Sequence, residues 1–464
     1  MPRACTLCTA PCVAHDFRSR VPHGVSIRRV LSGSRRVARK PDRFALRLAA
    51  ICVAAIALRV LYVLTFSRHL HFGLDAIWYE LVAGTIADGK GFVDPAKFYG
   101  HGLVVETAFR PPLYPLFLAV VNKTIGGSRT TYQLAGCALG TLTVACIGQL
   151  GRRIGGTTVG LGAAALAAVS PALIGIDASV MAETLYIPLI ALTLLALVRA
   201  CERPSLARWA VAGALGGAAT LARGDGALLV VVVVLPVAFL GSGRRSRRER
   251  LGAVGIALLG ALVVIAPWIV RNQIEMDRPT LATLDAGTAI AGTNCATTYS
   301  GSRIGSWDEA CTHVPNEGGL TELQLTDALQ HRGVQYATHH IARVPLVVAA
   351  RVARQWGVWA PANEARLEAV ESRNYGWQLV TWVFDLVLAG LSIYAFVAFG
   401  KRRKLAEIAP LVLLLGAVTL DAVLVYGKQR FQAAAHPALL VLAAYALTSL
   451  MRRARQSRAP VGPP

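Results

Sequence analysis

Six apolar stretches of this chain each come close to the length that a membrane-spanning helix needs. They cover residues 44–66, 132–150, 251–270, 379–399, 405–425 and 433–450. A helix crosses the hydrocarbon core of a bilayer with about 20 predominantly apolar residues. We therefore predict an all-α fold whose main elements are transmembrane helices.

The composition excludes a soluble enzyme. Of the 464 residues, 54% are hydrophobic and only 16% are charged, whereas soluble globular chains carry about 25% charged residues. So little charge cannot cover the surface of a water-soluble protein. A disordered chain is excluded as well, because disordered segments contain few apolar residues.

Two longer apolar stretches, 159–197 and 209–240, are too long for a single span. The first is interrupted near Pro171 and Asp177, and the second near Arg223. Basic residues flank both ends of each stretch, and short loops rich in Lys and Arg belong in the cytoplasm. Each stretch therefore predicts a helical hairpin, and the whole chain predicts about ten spans with both termini inside.

The positive charge follows this topology. The chain has 48 Lys and Arg against 26 Asp and Glu, and more than half of the basic residues fall in predicted inner loops and tails. We interpret them as an orientation signal that also attracts inner-leaflet lipids, so nucleic acid is not an expected partner. The predicted organisation is a basic cytoplasmic tail at 1–43, a bundle at 44–270 with a first outer loop at 67–130, a second outer-loop domain at 271–377, C-terminal helices at 378–450 and a basic tail at 451–464.

The second outer loop has two further predicted features. Cys295 and Cys311 lie on the oxidising side of the membrane, where disulfides persist, and we predict that they pair. Residues 344–359 combine Val, Leu and Trp with Arg351 and Arg354. This pattern predicts an amphipathic helix, which either lies in the outer membrane interface or is an ordinary surface helix of the loop domain.

Acidic and basic residues gather at the predicted outer ends of the spans. They are Asp75, Asp177, Glu183, Arg223, Asp225, Arg271, Asp421, Lys428 and Arg430. Ionisable residues near a bilayer are energetically unfavourable and tend to mark functional sites. A carboxylate can act as a general base, and arginines can hold a phosphate through several donors. This set at a membrane surface suits a substrate with a polar head, a phosphate and an apolar tail, such as a polyprenyl-phosphate sugar.

Four local motifs resemble the GT-C superfamily of polytopic glycosyltransferases, in particular bacterial proteins related to protein O-mannosyltransferases and lipid A aminoarabinose transferases. The motifs are Leu-Asp-Ala-Ile-Trp-Tyr at 74–79 with Ala-Asp-Gly-Lys-Gly-Phe at 87–92, Phe-Arg-Pro-Pro-Leu-Tyr-Pro at 109–115, Ala-Pro-Trp-Ile-Val-Arg-Asn at 266–272 and Tyr-Gly-Lys-Gln-Arg-Phe at 426–431. The chain departs from the protein mannosyltransferases in lacking an adjacent Asp-Glu pair in the first loop. It also has a shorter C-terminal region than many relatives.

The resemblance implies transfer of a sugar from a polyprenyl-phosphate donor to an acceptor hydroxyl, with inversion, on the extracytoplasmic face. Asp75 matches the catalytic carboxylate and would be the general base; the alternative is a helix N-cap. Arg110 and Arg271 match positions that would bind the donor phosphate. The weaker candidates for orientation or phosphate contact are Tyr79, Lys428 and Arg430. Glu183 is either a second carboxylate for a metal or acceptor, or a charge that stabilises a helix N-terminus.

The remaining predictions concern partners and alternatives. The expected partners are the polyprenyl-phosphate sugar, membrane lipids, and an acceptor that is a lipid, a glycan or a protein. No metal site or cofactor is specified, and a divalent cation remains an open alternative. A lipid or solute transporter or flippase is the main alternative function, but it would need polar residues at mid-membrane and internal repeats.

Overall fold

The computed structural model describes residues 42–67, 70, 73–241, 246–315, 319–369, 373–401 and 405–457. The predicted N-terminal tail therefore lies outside the described residues up to position 41. Of the predicted C-terminal tail, residues 451–457 are described, and they continue the last helix. The described residues form helices and connecting turns without a named strand; Val93 and Glu106 form an isolated antiparallel bridge.

Helices account for every apolar stretch of the sequence, as predicted. Their bounds are α1 (Arg43–Thr65), α2 (Leu74–Ala87), α3 (Pro95–His101), α4 (Leu113–Thr124), α5 (Arg129–Gly155), α6 (Thr157–Val169), α7 (Pro171–Asp177), α8 (Glu183–Glu202), α9 (Leu206–Ala222), α10 (Gly226–Leu228), α11 (Leu235–Leu240), α12 (Arg247–Met276), α13 (Ala286–Thr293), α14 (Glu322–His339), α15 (Val344–Gln355), α16 (Pro361–Ala369), α17 (Tyr375–Lys401), α18 (Ala409–Leu424), α19 (Gln429–Gln432) and α20 (His436–Ser457). A π-helical turn joins α10 to α11, and a 3-10 turn joins α19 to α20. The all-α class is confirmed.

Six helical segments of the described chain are long and apolar enough to cross a membrane. They are α1, α5, α8, α12, α17 and the continuous segment Gln429–Ser457, and the pair α6–α7, bent by 56°, would make a seventh. The predicted count of about ten further requires the shorter apolar segments Leu206–Ala222, Gly226–Leu240 and Ala409–Leu424 to cross. The number of crossings stays a prediction, and the architecture is that of a multi-pass membrane protein.

Local sequence sets where these helices begin. Ser170 interrupts the first long apolar stretch because its hydroxyl caps α7, and Pro171 occupies the first helical position, where no backbone N–H is needed. Ser246 and Glu249 form a capping box at the start of α12, as Thr321 does with Gln324 at the start of α14.

The helices differ in how deeply they are buried within the bundle. The most apolar parts of α8 and of the segment Gln429–Ser457 are 67% and 72% buried, against 28% in α1, α12 and α17. The peripheral helices therefore present apolar side chains outward, such as Val53, Val263 and Ile393, as expected of surfaces that face lipid. Close helix contacts rely on small residues: a Cβ on Gly213 of α9 would lie 1.8 Å from the carbonyl oxygen of Ala257 on α12.

Arg59 and Asp177 form an ion pair that is buried inside the bundle. Arg59 of α1 donates through Nε to Asp177 Oδ2 at 2.7 Å, and its other nitrogens donate to the carbonyl oxygens of Ala55, Ala167 and Ala168. The Arg59 side chain is 0% and that of Asp177 6% exposed. The sequence predicted Asp177 to lie among the charges at the outer ends of the spans. Its side chain instead pairs with Arg59 inside the bundle, because α7 directs it inward.

We expect Asp177→Ala to lower the free energy of unfolding by about 3–5 kcal/mol, since it leaves the Arg59 guanidinium buried without a counter-charge. The thermal unfolding midpoint of the purified protein in detergent measures this effect. Asp88→Ala removes an exposed carboxylate just after α2 and serves as the matched control. Equal midpoints for the two variants would contradict a stabilising role for the pair.

Polar contacts join the two segments that are predicted to lie outside the membrane, 67–130 and 271–377, which we call the first and second outer segments. Glu322 at the start of α14 accepts hydrogen bonds from the Thr107 hydroxyl at 2.7 Å and from the Ala108 N–H at 3.1 Å. Burial raises the pKa of this carboxyl, and these two hydrogen bonds partly offset the effect. Within the second outer segment, a disulfide joins Cys295 to Cys311, whose Cα atoms lie 6.3 Å apart.

The predicted amphipathic helix exists as α15, but its arginines are not on a solvated face. Arg351 and Arg354 are 5% and 0% exposed. Arg351 donates to the Thr293 carbonyl oxygen and to Asn294 Oδ1, both at 2.9 Å, and Arg354 pairs with Glu364. Hydrogen-bond partners within the segment therefore turn the arginine side inward, while Leu346 is exposed.

Candidate functional site

Three guanidinium groups and four carboxylates come together near the ends of helices that are far apart along the chain. Asp75 lies in the first turn of α2, and Glu183 is the first residue of α8. Arg430 belongs to α19. The other members, which stand just before or after a helix, are Arg110, Arg223, Asp225 and Asp285. We refer to these seven residues as the charged cluster.

Arg110 holds two of the carboxylates. Its Nη2 donates to Asp75 Oδ1 at 2.5 Å and its Nη1 to Asp285 Oδ2 at 2.7 Å. Burial alone would lower the pKa of Arg110, but Asp285 and Asp75 outweigh this effect and raise it. The guanidinium therefore stays charged and fixes α2 relative to the second outer segment.

Arg430 links Asp75 to Glu183. Its Nη2 lies 3.7 Å from Asp75 Oδ2, and its Nε lies 3.0 Å from Glu183 Oε1. The same Glu183 oxygen accepts a hydrogen bond from Arg223 Nη1 at 2.7 Å. The other Glu183 oxygen is buried without a hydrogen-bond partner among the described residues. A continuous chain of charges thus runs from Asp285 to Arg223.

Arg223 completes the cluster and keeps one donor group available. Its Nε donates to Asp225 Oδ1 at 3.0 Å and its Nη1 to Glu183, whereas Nη2 has no hydrogen-bond partner among the described residues. Burial opposes the charge, but Asp225 and Glu183 raise the pKa of Arg223 well above its usual value. Its guanidinium also lies 4.6 Å from the centre of the Phe431 ring.

A cavity of about 480 Å³ adjoins the charged cluster. Its polar wall carries Tyr79, Arg110, Arg223, Asp225, Asp285, Asp421, Tyr426 and Arg430, and its apolar wall includes Leu228, Leu281, Ala286, Leu424, Val425 and Phe431. This size is in the range of small-molecule binding sites. A ligand with an anionic head and an apolar tail would match the two walls.

One carboxyl of the cluster is poorly stabilised in its charged form. Burial raises the pKa of Asp285, although Arg110 and a hydrogen bond from Thr288 oppose the shift. The Asp75 and Asp285 side chains are exposed to a similar extent, 25% and 24%. The two carboxylates that share Arg110 differ in that Asp285 also accepts a hydrogen bond from the Thr288 hydroxyl.

Four of the sequence-predicted residues, Asp75, Arg110, Arg430 and Glu183, come together in the cluster. Tyr79 also lines the cavity; it is buried, and its ring meets that of Tyr114 edge-on with centroids 5.0 Å apart. Burial raises the pKa of the Tyr79 hydroxyl, which keeps it protonated and able to donate a hydrogen bond.

Arg271 and Lys428 are not part of the cavity wall. Arg271 donates to the carbonyl oxygens of Thr107 at 2.8 Å and Phe92 at 3.1 Å, and it pairs with Glu106. These contacts tie the first outer segment to α12. The motif resemblance placed Arg271 on the donor phosphate, but its terminal nitrogens already have partners here.

Lys428 lines a second cavity of about 460 Å³. Trp307, Asp308 and Glu364 belong to the same wall, and Tyr426 contributes to both cavities. The two cavities are therefore neighbours, separated at the turn that precedes α19.

The sequence placed Arg223 and Asp225 among the charges at the predicted outer ends but gave them no individual role, and it did not indicate Asp285 at all. Arg223 and Asp225 had a signal, since they interrupt an apolar stretch at a predicted outer turn. Asp285 had no such signal, because it stands in a segment of mixed polar residues where an acidic residue does not stand out. Among the described residues, no group of three or more His, Cys, Asp or Glu side chains is arranged to hold a metal ion.

Comparisons with known proteins agree with the fold. The family model for dolichyl-phosphate-mannose-protein mannosyltransferases matches residues 109–270, a segment that contains Arg110, Glu183, Arg223 and Asp225. The comparison with curated protein sequences gives no match.

Solved structures of low sequence identity are also similar. An oligosaccharyltransferase from Archaeoglobus fulgidus, tethered with an acceptor peptide, has a TM-score of 0.52 at 15% identity over 90% of this chain and 50% of that chain. This chain thus spans about half the length of that protein. ArnT from Cupriavidus metallidurans bound to undecaprenyl phosphate has a TM-score of 0.44 at 13% identity, over 89% of this chain and 78% of that chain. The Pmt1-Pmt2 protein O-mannosyltransferase complex of S. cerevisiae has a TM-score of 0.40 at 18% identity, over 54% of this chain and 36% of that chain. The resemblance to GT-C proteins is confirmed, as a likeness of fold.

Proposed function

We propose that this chain is a membrane glycosyltransferase that moves a sugar from a polyprenyl-phosphate donor to an acceptor hydroxyl. The observation that carries the proposal is the charged cluster, in which Asp75 lies beside Arg110 and Arg430, two residues that line a half-apolar cavity. The matched mannosyltransferase segment supplies Arg110 and Arg223. The basic inner loops support an extracytoplasmic position for the cluster.

The donor phosphate would bind between Arg223 and Arg430. Arg223 Nη2 has no partner among the described residues, and both side chains line the cavity. Charge-assisted contacts from guanidinium groups suit a phosphate because they offer several donors in fixed geometry. The apolar wall with Leu228, Leu281 and Leu424 would cover the first part of the polyprenyl chain.

The transfer step would use Asp75 as general base. The acceptor oxygen attacks the anomeric carbon of the sugar while its proton passes to an Asp75 oxygen. The bond between the anomeric carbon and the phosphate oxygen breaks, and the polyprenyl phosphate leaves with the electron pair and one additional negative charge. The guanidinium groups stabilise this charge as it develops. A single in-line displacement of this kind inverts the anomeric configuration, as in inverting glycosidases.

The Asp75 carboxylate accepts a hydrogen bond from Arg110 and lies 3.7 Å from an Arg430 nitrogen. A bound donor phosphate would compete with Asp75 for these guanidinium groups. Donor binding would then both position the sugar and free the carboxylate. The proposal therefore includes an order in which the donor binds before the acceptor is deprotonated.

The acceptor would enter through the second cavity, which shares Tyr426 with the first. Its wall offers the flat ring of Trp307 and the hydrogen-bonding groups of Asp308, Glu364 and Lys428. An aromatic face with surrounding polar groups suits a polyhydroxylated acceptor. The acceptor hydroxyl would then reach Asp75 from the side opposite the phosphate.

The decisive experiment incubates membranes that contain the protein with a panel of radiolabelled polyprenyl-phosphate sugars. We expect one sugar to pass to a membrane-associated acceptor, and a transfer rate at least about 10²-fold lower in membranes with the Asp75→Asn variant. A matched panel of polyprenyl-diphosphate sugars is the control for donor class. Transfer from the diphosphate panel alone, or label translocated without a new glycosidic bond, would contradict the proposal in favour of a ligase or a flippase.

A further inference from the structure

A third cavity lies at the other end of the bundle, between the turn that joins α5 to α6 and the last turns of α20. Its volume is about 320 Å³, and it is lined by Gly155, Val159, Tyr445, Thr448, Ser449, Arg452, Arg453 and Gln456. At 1.5 Å per residue, the roughly 22 residues from Arg430 to Arg452 extend about 33 Å, which is close to the thickness of a bilayer core. The cavity thus lies at the membrane face opposite the charged cluster.

Two arginines give this cavity its charge. Arg452 and Arg453 are exposed, and neither forms an ion pair with another described residue. The guanidinium of Arg453 lies 5.9 Å from the centre of the Tyr394 ring on α17. No acidic residue lines the cavity, in contrast to the charged cluster, where carboxylates balance every guanidinium.

The remaining lining groups are neutral and polar. Thr448 donates its hydroxyl hydrogen to the carbonyl oxygen of Ala444 at 2.8 Å, so its oxygen stays oriented in the helix groove. The hydroxyl of Ser449 and the amide of Gln456 add hydrogen-bond donors beside the arginines. Such donors around two cations suit the oxygen atoms of a phosphate group.

Apolar side chains next to the cavity point to a lipid rather than to a soluble anion. Leu450 and Met451 precede the two arginines on α20 and are 40% and 52% exposed. Basic pockets between transmembrane helices on the inner side are a known type of site for anionic lipid headgroups. We propose that this cavity binds the phosphate headgroup of an anionic phospholipid, with Arg452 and Arg453 as its ligands and the acyl chains along α20.

A bound headgroup would fasten α20 to the α5–α6 turn. The cavity is lined from both elements, by Gly155 and Val159 on one side and by Thr448 and Arg452 on the other. Because α20 belongs to the helical segment Gln429–Ser457, which contains Arg430 near its start, a lipid here stabilises the same span that ends at the charged cluster. The effect on stability does not depend on the proposed transfer reaction.

The test titrates the purified full-length protein in detergent with cardiolipin and follows the thermal unfolding midpoint. We expect a saturable rise with cardiolipin, and none with phosphatidylcholine or with inorganic phosphate at equal concentration. Arg452→Ala/Arg453→Ala should weaken the apparent affinity for cardiolipin about 30-fold, as expected for the loss of two basic contacts at a lipid surface.

The matched control is Arg47→Ala/Arg455→Ala, which removes the same charge from exposed positions that do not line the cavity. We expect its affinity for cardiolipin to change by no more than about threefold, because unpaired surface charges act weakly and are screened. Equal losses in the two double variants would overturn the site in favour of diffuse attraction. Equal stabilisation by inorganic phosphate would contradict the proposal that the ligand is a lipid. Equal stabilisation by phosphatidylcholine would contradict the proposal that the negative charge of the headgroup is recognised.

Discussion

Asp75→Asn is expected to lower the rate of sugar transfer by about 10²–10⁴-fold, the usual contribution of a general base. Asparagine keeps the size of the side chain but cannot accept the proton of the acceptor hydroxyl. The Asp75 side chain is 25% exposed and lies in the first turn of α2, so the substitution should leave the fold intact. Single-turnover transfer at saturating donor, normalised to protein in the membrane, measures the change.

Asp285→Asn is the matched control for the loss of a carboxylate beside Arg110. Asp285 binds the other terminal nitrogen of that guanidinium at 2.7 Å, so both variants remove one negative charge from the same partner. We expect Asp285→Asn to retain most of the single-turnover rate, because no proton passes to this residue in the proposed reaction. Similar losses in the two variants would mean that Asp75 acts by holding Arg110 and not as a base.

The sequence predicted the helices well because their cause is local. Each run of about 20 apolar residues is stable in lipid only as a helix, and Ser170 with Pro171 marks a helix start by capping and by a missing donor. The same reasoning located the outer charges near their helix ends. Depth in the membrane is thus readable from position along the chain.

The direction in which a side chain points is not readable in this way. Asp177 and Glu183 are six positions apart, yet the turn between α7 and α8 sends Asp177 to Arg59 and Glu183 to Arg223 and Arg430. The sequence pattern placed Arg351 and Arg354 on the solvated side of an amphipathic helix, but both are buried and bind carbonyl or carboxylate oxygens. Such outcomes depend on partners that lie between ten and more than a hundred residues away along the chain.

The motif resemblance shares this limit. It identified Arg110 and Arg271 together as ligands of the phosphate, but the two residues have different neighbours: Asp75 and Asp285 for Arg110, backbone carbonyls and Glu106 for Arg271. Arg223 carried no motif and nevertheless lines the cavity with an unpaired donor group. A local sequence motif therefore indicates which region forms the site, whereas the packing of the helices decides which arginine faces the cavity.

The second large effect is expected for Arg223→Lys. A lysine keeps the charge but has one ammonium group, which cannot hold Glu183 and Asp225 and also reach a phosphate. We expect kcat/KM for the donor to fall about 10²–10³-fold, the range seen when one stabilising donor is removed from a developing anion. Part of the loss should appear in kcat, because the leaving phosphate gains charge as the sugar transfers. Transfer rates over a range of donor concentrations separate the two parameters.

Arg271→Lys is the matched control, because it makes the same chemical change in an arginine outside the cavity wall. Its contacts to Thr107, Phe92 and Glu106 hold the first outer segment, so we expect a lower thermal midpoint and a donor KM within about threefold of the wild type. The opposite pattern, with donor KM raised by Arg271→Lys and unchanged by Arg223→Lys, would move the phosphate to the arginine that the motif resemblance favours. The pair of variants thus decides whether the motif or the packing identifies the donor site.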